Sequence, residues 1–214
     1  MGASTATIAS GAPFEYLNAE ADPYHQKLLP PVLQLLRQYD LRNIFEIGCG
    51  NGTIAAALGH AGITVTGVDI SETGIAQANR AFPHLRLEVG SAYDDLAARF
   101  GTFEGVIALE VIEHLTDPVL FVRRLHDMLT PGGVGLVSTP YHGYWKNLAL
   151  SLCNGWDRHW QTLNPPGWHI KFFSARTLKQ VLEDGGLLVR EIAPFGRPIK
   201  ALATGMVSVV HRPH

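Results

Sequence analysis

The sequence predicts an α/β fold: a mostly parallel sheet of seven strands, with an antiparallel final strand and helices on both faces. Two observations carry this. Short apolar runs alternate with segments of helical periodicity, the pattern of parallel strands joined by crossover helices. The stretch IFEIGCGNGT, from Ile44 to Thr53, then places three glycines at every second position directly behind an apolar run. Glycine weakens a strand interior and marks a tight bend or a place where a ligand nears the backbone, so a strand ends here and a helix begins near Thr53. With 214 residues, 46% hydrophobic and 17% charged, one domain spanning 1–214 can bury a good core.

The elements follow in order. Asn43 to Ile47 is the first strand, Thr53 to His60 the first helix and Thr64 to Val68 the second strand. Ser71 caps a helix reaching about Ala81, and Leu85 to Val89 is the third strand. Phe103 to Leu109 is the fourth. Asp117 and Pro118 open a helix through about Met128, and Gly133 to Ser138 forms the fifth strand after a turn at Pro131 and Gly132. Ser174 caps a helix that stops at Gly185 and Gly186. Leu187 to Ala193 and Ala201 to Val210 follow with no helix between them, so this last pair is antiparallel.

Composition excludes several classes. A formal net charge of −2 leaves no footprint for DNA or RNA. Cys49 and Cys153 are too few and too isolated for a disulfide framework or a thiolate metal site, which fits a reducing cytoplasm. The start, MGASTATIASGAPF, has neither a basic n-region nor a long apolar stretch, so residues 1–14 read as a flexible tail.

A glycine-rich turn between a first strand and a first helix is a ready cofactor site, and its spacing selects among cofactors. A dinucleotide fingerprint has its third glycine where this chain has Thr53. The pattern here is E-x-G-x-G-x-G, with Glu46 entering the turn, and an acidic group suits a cationic ligand. Further on, VTGVDIS ends the second strand with Asp69, placed to take both ribose hydroxyls of an adenosine.

FEIGCGNG and Asp69 together resemble the class I S-adenosylmethionine-dependent methyltransferases, a Rossmann-like family, over nearly the whole chain after about Tyr24. The resemblance implies S-adenosyl-L-methionine as cofactor. It brings Gly48, Cys49 and Gly50 near the methionine part, sets Glu46 to hold the ammonium and Ile70 to pack on adenine, and adds Tyr24 and Leu109 to the cofactor-binding set. One departure is visible: where such enzymes carry an acid after the third strand, this chain has VGSAY, with Ser91 at that place. Ser91, the backbone at Ala92, or Asp94 then meets the base.

ALEVIEHLTDP lies at the end of the fourth strand, the edge where open parallel sheets place ligands. Its Glu110, Glu113 and His114 resemble the E-x-x-E-H of the O-methyltransferases of ubiquinone biosynthesis. Three roles stay open: a loop brace, a general base at His114, or ligands for a divalent ion such as Mg²⁺. A histidine base is reasonable because its unperturbed pKa of ~6.5 lies near neutrality. His142 is a second candidate catalytic histidine.

The segment 141–173 holds every tryptophan of the chain: Trp145, Trp156, Trp160 and Trp168, joined by Tyr141, Tyr144, Phe172 and Phe173, with His142, His159 and His169 interleaved. Inserted after the fifth strand, it is placed to be a lid whose Tyr144, Trp145 and His169 touch an aromatic acceptor. A satellite core, a homodimer interface, or a peripheral contact with a membrane surface are the other readings. The expected function is transfer of a methyl group to a small molecule, foremost to a hydroxyl of an aromatic or quinone-like compound. N- or C-methylation, a protein acceptor, and noncatalytic nucleotide binding stand as alternatives.

Overall fold

The computed structural model describes residues 15–16, 18–20, 24–158, 169–197 and 199–214. The expected tail 1–14, and His159, Trp160 and Trp168 of the aromatic segment, lie outside the described residues.

The chain runs α1 (His25–Gln38), β1 (Asn43–Ile47), α2 (Thr53–His60), β2 (Thr64–Asp69), α3 (Glu72–Ala81), β3 (Arg86–Val89), α4 (Leu96–Phe100) and β4 (Phe103–Leu109). It continues with α5 (Pro118–Met128), β5 (Leu129–Pro140), α6 (Tyr144–Leu152), α7 (Ala175–Asp184), β6 (Leu188–Phe195) and β7 (Gly205–His211). The seven strands lie in the order β3-β2-β1-β4-β5-β7-β6. Pairing from β3 to β5 is parallel, and β7 runs antiparallel to both neighbours, β5 and β6.

Strand alternation divides the core between two faces. Ile44 and Ile107 turn to one side with Leu28, Val32 and Leu36 of α1, Ile54 and Leu58 of α2 and Ile75 of α3. Phe45, Val106 and Ala108 turn to the other with Leu96 of α4, Phe121, Val122 and Leu125 of α5, and Leu178 and Leu182 of α7. Both faces of the central strands are thus covered, which is why β1 and β4 are mostly apolar rather than strictly alternating.

Caps set the boundaries that the sequence signals. The Ser71 hydroxyl accepts from Gly74 N (3.1 Å), Asp117 Oδ1 accepts from Leu120 N (2.9 Å), and Ser174 forms a capping box with Thr177. Two boundaries differ from expectation by more than two residues. β5 begins at Leu129 rather than Gly133, and the Pro131–Gly132 corner is absorbed as a register shift between the pairings of Phe103 and Gly105 with β5. Lys200 to Leu202 forms a short 3-10 turn, so β7 starts only at Gly205.

Phe121 is completely buried between the sheet and α7. Phe121→Ala should lower the unfolding free energy by about 3–5 kcal/mol in urea titration, through lost transfer energy and the cavity left behind.

Candidate functional site

The order β3-β2-β1-β4 places the topological switch between β1 and β4, where the crossovers leave in opposite directions and a crevice opens at the strand ends. The glycine turn after β1 forms one wall of it. Gly48 N and Cys49 N both donate to Val68 O, at 2.7 and 3.0 Å, and Gly50 N donates to Asp69 Oδ2 at 2.8 Å. Gly48 and Gly50 have φ of +83° and +53°, a left-handed backbone that favours glycine. A Cβ on Gly48 would collide with Val111, and one on Gly50 would lie 2.5 Å from the Tyr16 hydroxyl. The turn is therefore pinned to the end of β2 and closely covered by its own chain.

Asp69 holds this arrangement with both oxygens, since Oδ1 accepts from Ser71 N at 2.7 Å. Burial raises its pKa, and the two backbone hydrogen bonds oppose that rise. Glu46 is 1% exposed, and its Oε2 accepts no hydrogen bond among the described residues. Burial, and after it the nearby Asp69 carboxylate, push its pKa up to about 8. An orphaned acid beside a close-approach glycine turn is a setting that a ligand ammonium would satisfy. Ile70 stands 44% exposed next to Asp69, as a platform for a flat ring needs to be. Cys49 is buried, and its thiol pKa is raised by burial, so it is not a reactive thiolate.

The rim beyond β3 is fastened by side chains. Ser91 N donates to Asp94 Oδ2 (2.8 Å), and the Ser91 hydroxyl accepts from Tyr93 N (3.2 Å). Arg124 Nε donates to the Tyr93 carbonyl, and the Tyr93 hydroxyl accepts from Asp117 N. Asp94 thus acts as a brace for Ser91, while Ala92 packs against the core.

At the end of β4, Leu109 is buried and Glu110 has φ of +58°, rare for a residue with a side chain. Its Oε1 accepts from Ser138 Oγ at 2.6 Å and its N–H donates to the same oxygen at 3.0 Å. Burial raises the Glu110 pKa to about 7, against hydrogen bonds from Ser138 and Tyr24. The expected trio of Glu110, Glu113 and His114 is therefore not the one assembled. Glu110 turns toward Ser138 and Tyr24, and His169 of the insertion takes the third place beside Glu113 and His114. The His114 and His169 Nε2 atoms stand 3.9 and 3.8 Å from Glu113 Oε1, and the two rings meet edge-on at 4.9 Å. Ile170 N and Lys171 N both donate to the Glu113 carbonyl, which explains how a residue 56 positions away in sequence is brought here. Glu113 is completely buried, its pKa raised by that burial and then by Glu110.

The other expected residues separate. His142 is buried with its ring edge-on to Phe172 at 4.8 Å, and its backbone N–H donates to the Phe173 carbonyl. Tyr144 and Trp145 pack on each other at the start of α6 and stay 71% and 60% exposed. Among the described residues no helix is long and apolar enough to cross a membrane.

Three contributors lie outside the expected set. Tyr16 crosses the glycine turn, with its N–H donating to Thr73 Oγ1. Asn51 donates from Nδ2 to both the Asn18 and Glu20 carbonyls, at 3.1 and 3.0 Å, tying that strap to the turn. Lys146 lies inward on α6 beside Glu110. Asn51 sits inside the glycine motif and could have been suspected; nothing near Tyr16 signals its place.

These features define a class I methyltransferase fold with a nucleoside-type cofactor crevice. A family model described as a methyltransferase domain matches residues 15–192, and the chain belongs to that family. It is 36% identical over 131 residues to a ubiquinone biosynthesis O-methyltransferase of Caulobacter sp. (strain K31), covering 59% of this chain and 50% of that one. It is 29% identical over 187 residues to the protein of that description from Thiobacillus denitrificans, covering 82% and 78%. The chain spans 50% to 61% of the length of the three curated relatives from Caulobacter and Dinoroseobacter that it matches. In fold it is similar to magnesium protoporphyrin IX methyltransferase from Synechocystis PCC 6803, solved with bound S-adenosylhomocysteine, at a TM-score of 0.67, 16% identity and 90% and 89% coverage.

Glu46, Asp69, Glu110 and Glu113 all have native pKa values raised above their ordinary ones. The native state therefore holds these protons more tightly than the unfolded chain, and stability drains away as pH rises through the window between the ordinary and the raised values. The melting temperature should fall from about pH 5 to about pH 8, and Glu46→Gln should flatten that fall; a parent curve rising over the same range would contradict the electrostatics described.

Proposed function

We propose that the protein methylates a hydroxyl of an aromatic or quinone-like small molecule. The observation that carries the reading is the pairing of an orphaned buried Glu46 with an Asp69-braced glycine turn at the sheet's switch point. S-adenosyl-L-methionine, when bound, supplies a sulfonium methyl for in-line displacement. Glu46 would hold its ammonium, Asp69 its ribose hydroxyls, Ile70 and the Ser91–Ala92 backbone its base, with Gly48, Cys49, Gly50, Tyr24 and Leu109 lining the path between. Catalysis is then mainly positioning. The names of the curated relatives support the hydroxyl acceptor.

His114 is the favoured base. Its imidazole is 30% exposed and faces the buried Glu113 carboxylate, which would steady the charged form as a proton is taken up. A second reading is favoured by the cluster itself: Glu113, His114 and His169 offer ligand atoms all within 4.8 Å of one another. One carboxylate and two imidazoles suit Zn²⁺ better than Mg²⁺, which prefers oxygen donors. The donor chemistry thus favours a borderline ion over the hard one.

Two measurements test the reading. Asp69→Ala should weaken S-adenosylhomocysteine at least about tenfold in calorimetry, since it removes charge-assisted hydrogen bonds worth roughly 1.5–3 kcal/mol each. Unchanged affinity would count against the assigned site. In a panel of phenols, catechols and amines read by S-adenosylhomocysteine release, hydroxyl acceptors should turn over, and His114→Ala should lose on the order of 10²–10⁴-fold in rate with no effect of EDTA. Loss on chelation and recovery with Zn²⁺ would transfer His114 to the metal reading, and silence across the panel would leave a noncatalytic binding protein.

A further inference from the structure

Helix α6 inverts ordinary burial: it exposes Tyr144, Trp145 and Leu152, yet turns Lys146 inward. An ammonium is costly to remove from water unless it is paired, and a local rule broken in this way marks a functional position. The Lys146 Nζ donates to the Tyr141 carbonyl at 2.7 Å, its one hydrogen bond among the described residues. An ammonium has three donors, so two remain.

Two charged groups face it. Arg197, in the turn after β6, adds positive charge, and with burial as the larger cause it lowers the Lys146 pKa; Glu110, at the end of β4, opposes them. Glu110 does not close an ion pair with Lys146. Its carboxyl is engaged by Ser138, whose hydroxyl donates to Oε1 at 2.6 Å. Lys146 therefore brings an ammonium with two remaining donors to the edge of the crevice where β4 ends.

Resting on the methyl-transfer reading above, we propose that Lys146 binds the acceptor's reacting oxygen as an anion, an ionised phenolic hydroxyl held at the end of β4. The hydroxyl proton leaves first, to His114 or to solvent. The oxygen lone pair then forms the O–CH3 bond as the S–CH3 bond breaks and its electron pair returns to sulfur. The substrate class follows: hydroxyls acidic enough to be held ionised beside one ammonium, rather than aliphatic alcohols or amines.

The test uses 4-nitrocatechol, whose ionised and neutral forms absorb differently, titrated into the full chain saturated with S-adenosylhomocysteine at a pH below the free ligand's ionisation. The parent should show the ionised band on binding. Lys146→Met should lose that band and bind about ten- to a hundredfold more weakly. Lys146→Arg should keep most of both, and calorimetry should show unchanged S-adenosylhomocysteine affinity in both variants. The proposal is overturned if Lys146→Met binds the ionised form as the parent does, or if the parent binds S-adenosylhomocysteine but no phenol. It is also overturned if EDTA, and not the substitution, removes the band, since a metal would then hold the oxygen. A parent that fails to bind S-adenosylhomocysteine would remove the cofactor reading and this proposal with it.

Discussion

One carboxylate organises the crevice. Asp69 spends one oxygen on the N–H of Gly50 and the other on the N–H of Ser71, so a single side chain ties the turn after β1 to the start of α3. Three left-handed glycines in five residues could adopt many shapes. The Asp69 bonds, with the two donated to Val68 O, select one of them and fix where the backbone amides point. Each oxygen keeps a lone pair, so bracing and ligand recognition are compatible in one group.

Around this brace the fold concentrates negative charge that it does not neutralise. Glu46 and Asp69 lie at the ends of β1 and β2, and Glu110 and Glu113 at and just beyond the end of β4. Among the described residues their partners are backbone amides, hydroxyls and imidazoles rather than guanidinium or ammonium groups at ion-pair distance. Burial is the leading cause of every one of the four raised pKa values. Such sites are stabilised by whatever brings positive charge or protons to them, and a sulfonium cofactor bearing an ammonium does so at the end of the sheet where they gather.

Much of this was legible in the sequence because local rules and the global fold agree there. β1, α2, β4 and α5 have the predicted limits, since each is bounded by glycine, Asp-Pro or a capping side chain and carries a continuous apolar pattern. The cofactor wall was legible for the same reason: Glu46, Gly50 and Asp69 lie within one strand–turn–helix–strand unit. Features set by distant parts of the chain were not. His169 reaches Glu113 only because the backbone at Ile170 and Lys171 bonds to the Glu113 carbonyl, a relation with no local pattern. Helical phase, which composition does not reveal, leaves Tyr144 and Trp145 exposed on α6 while Lys146 points in. α1 carries two internal prolines, Pro30 and Pro31, which hide a helix from propensity; they fall within its first two turns.

The strap before α1 changes where the domain begins. Among the described residues the first helix starts at His25, but Asn51 at the heart of the glycine turn is satisfied by the carbonyls of Asn18 and Glu20, and the Tyr16 ring lies on the same turn. The family match opens at residue 15, beside that tyrosine. A truncation drawn at the first helix would keep every strand and helix yet strip the turn of its cover and leave the Asn51 amide facing water. The working N-terminal boundary of this fold thus lies ahead of α1, set by hydrogen bonds to one asparagine.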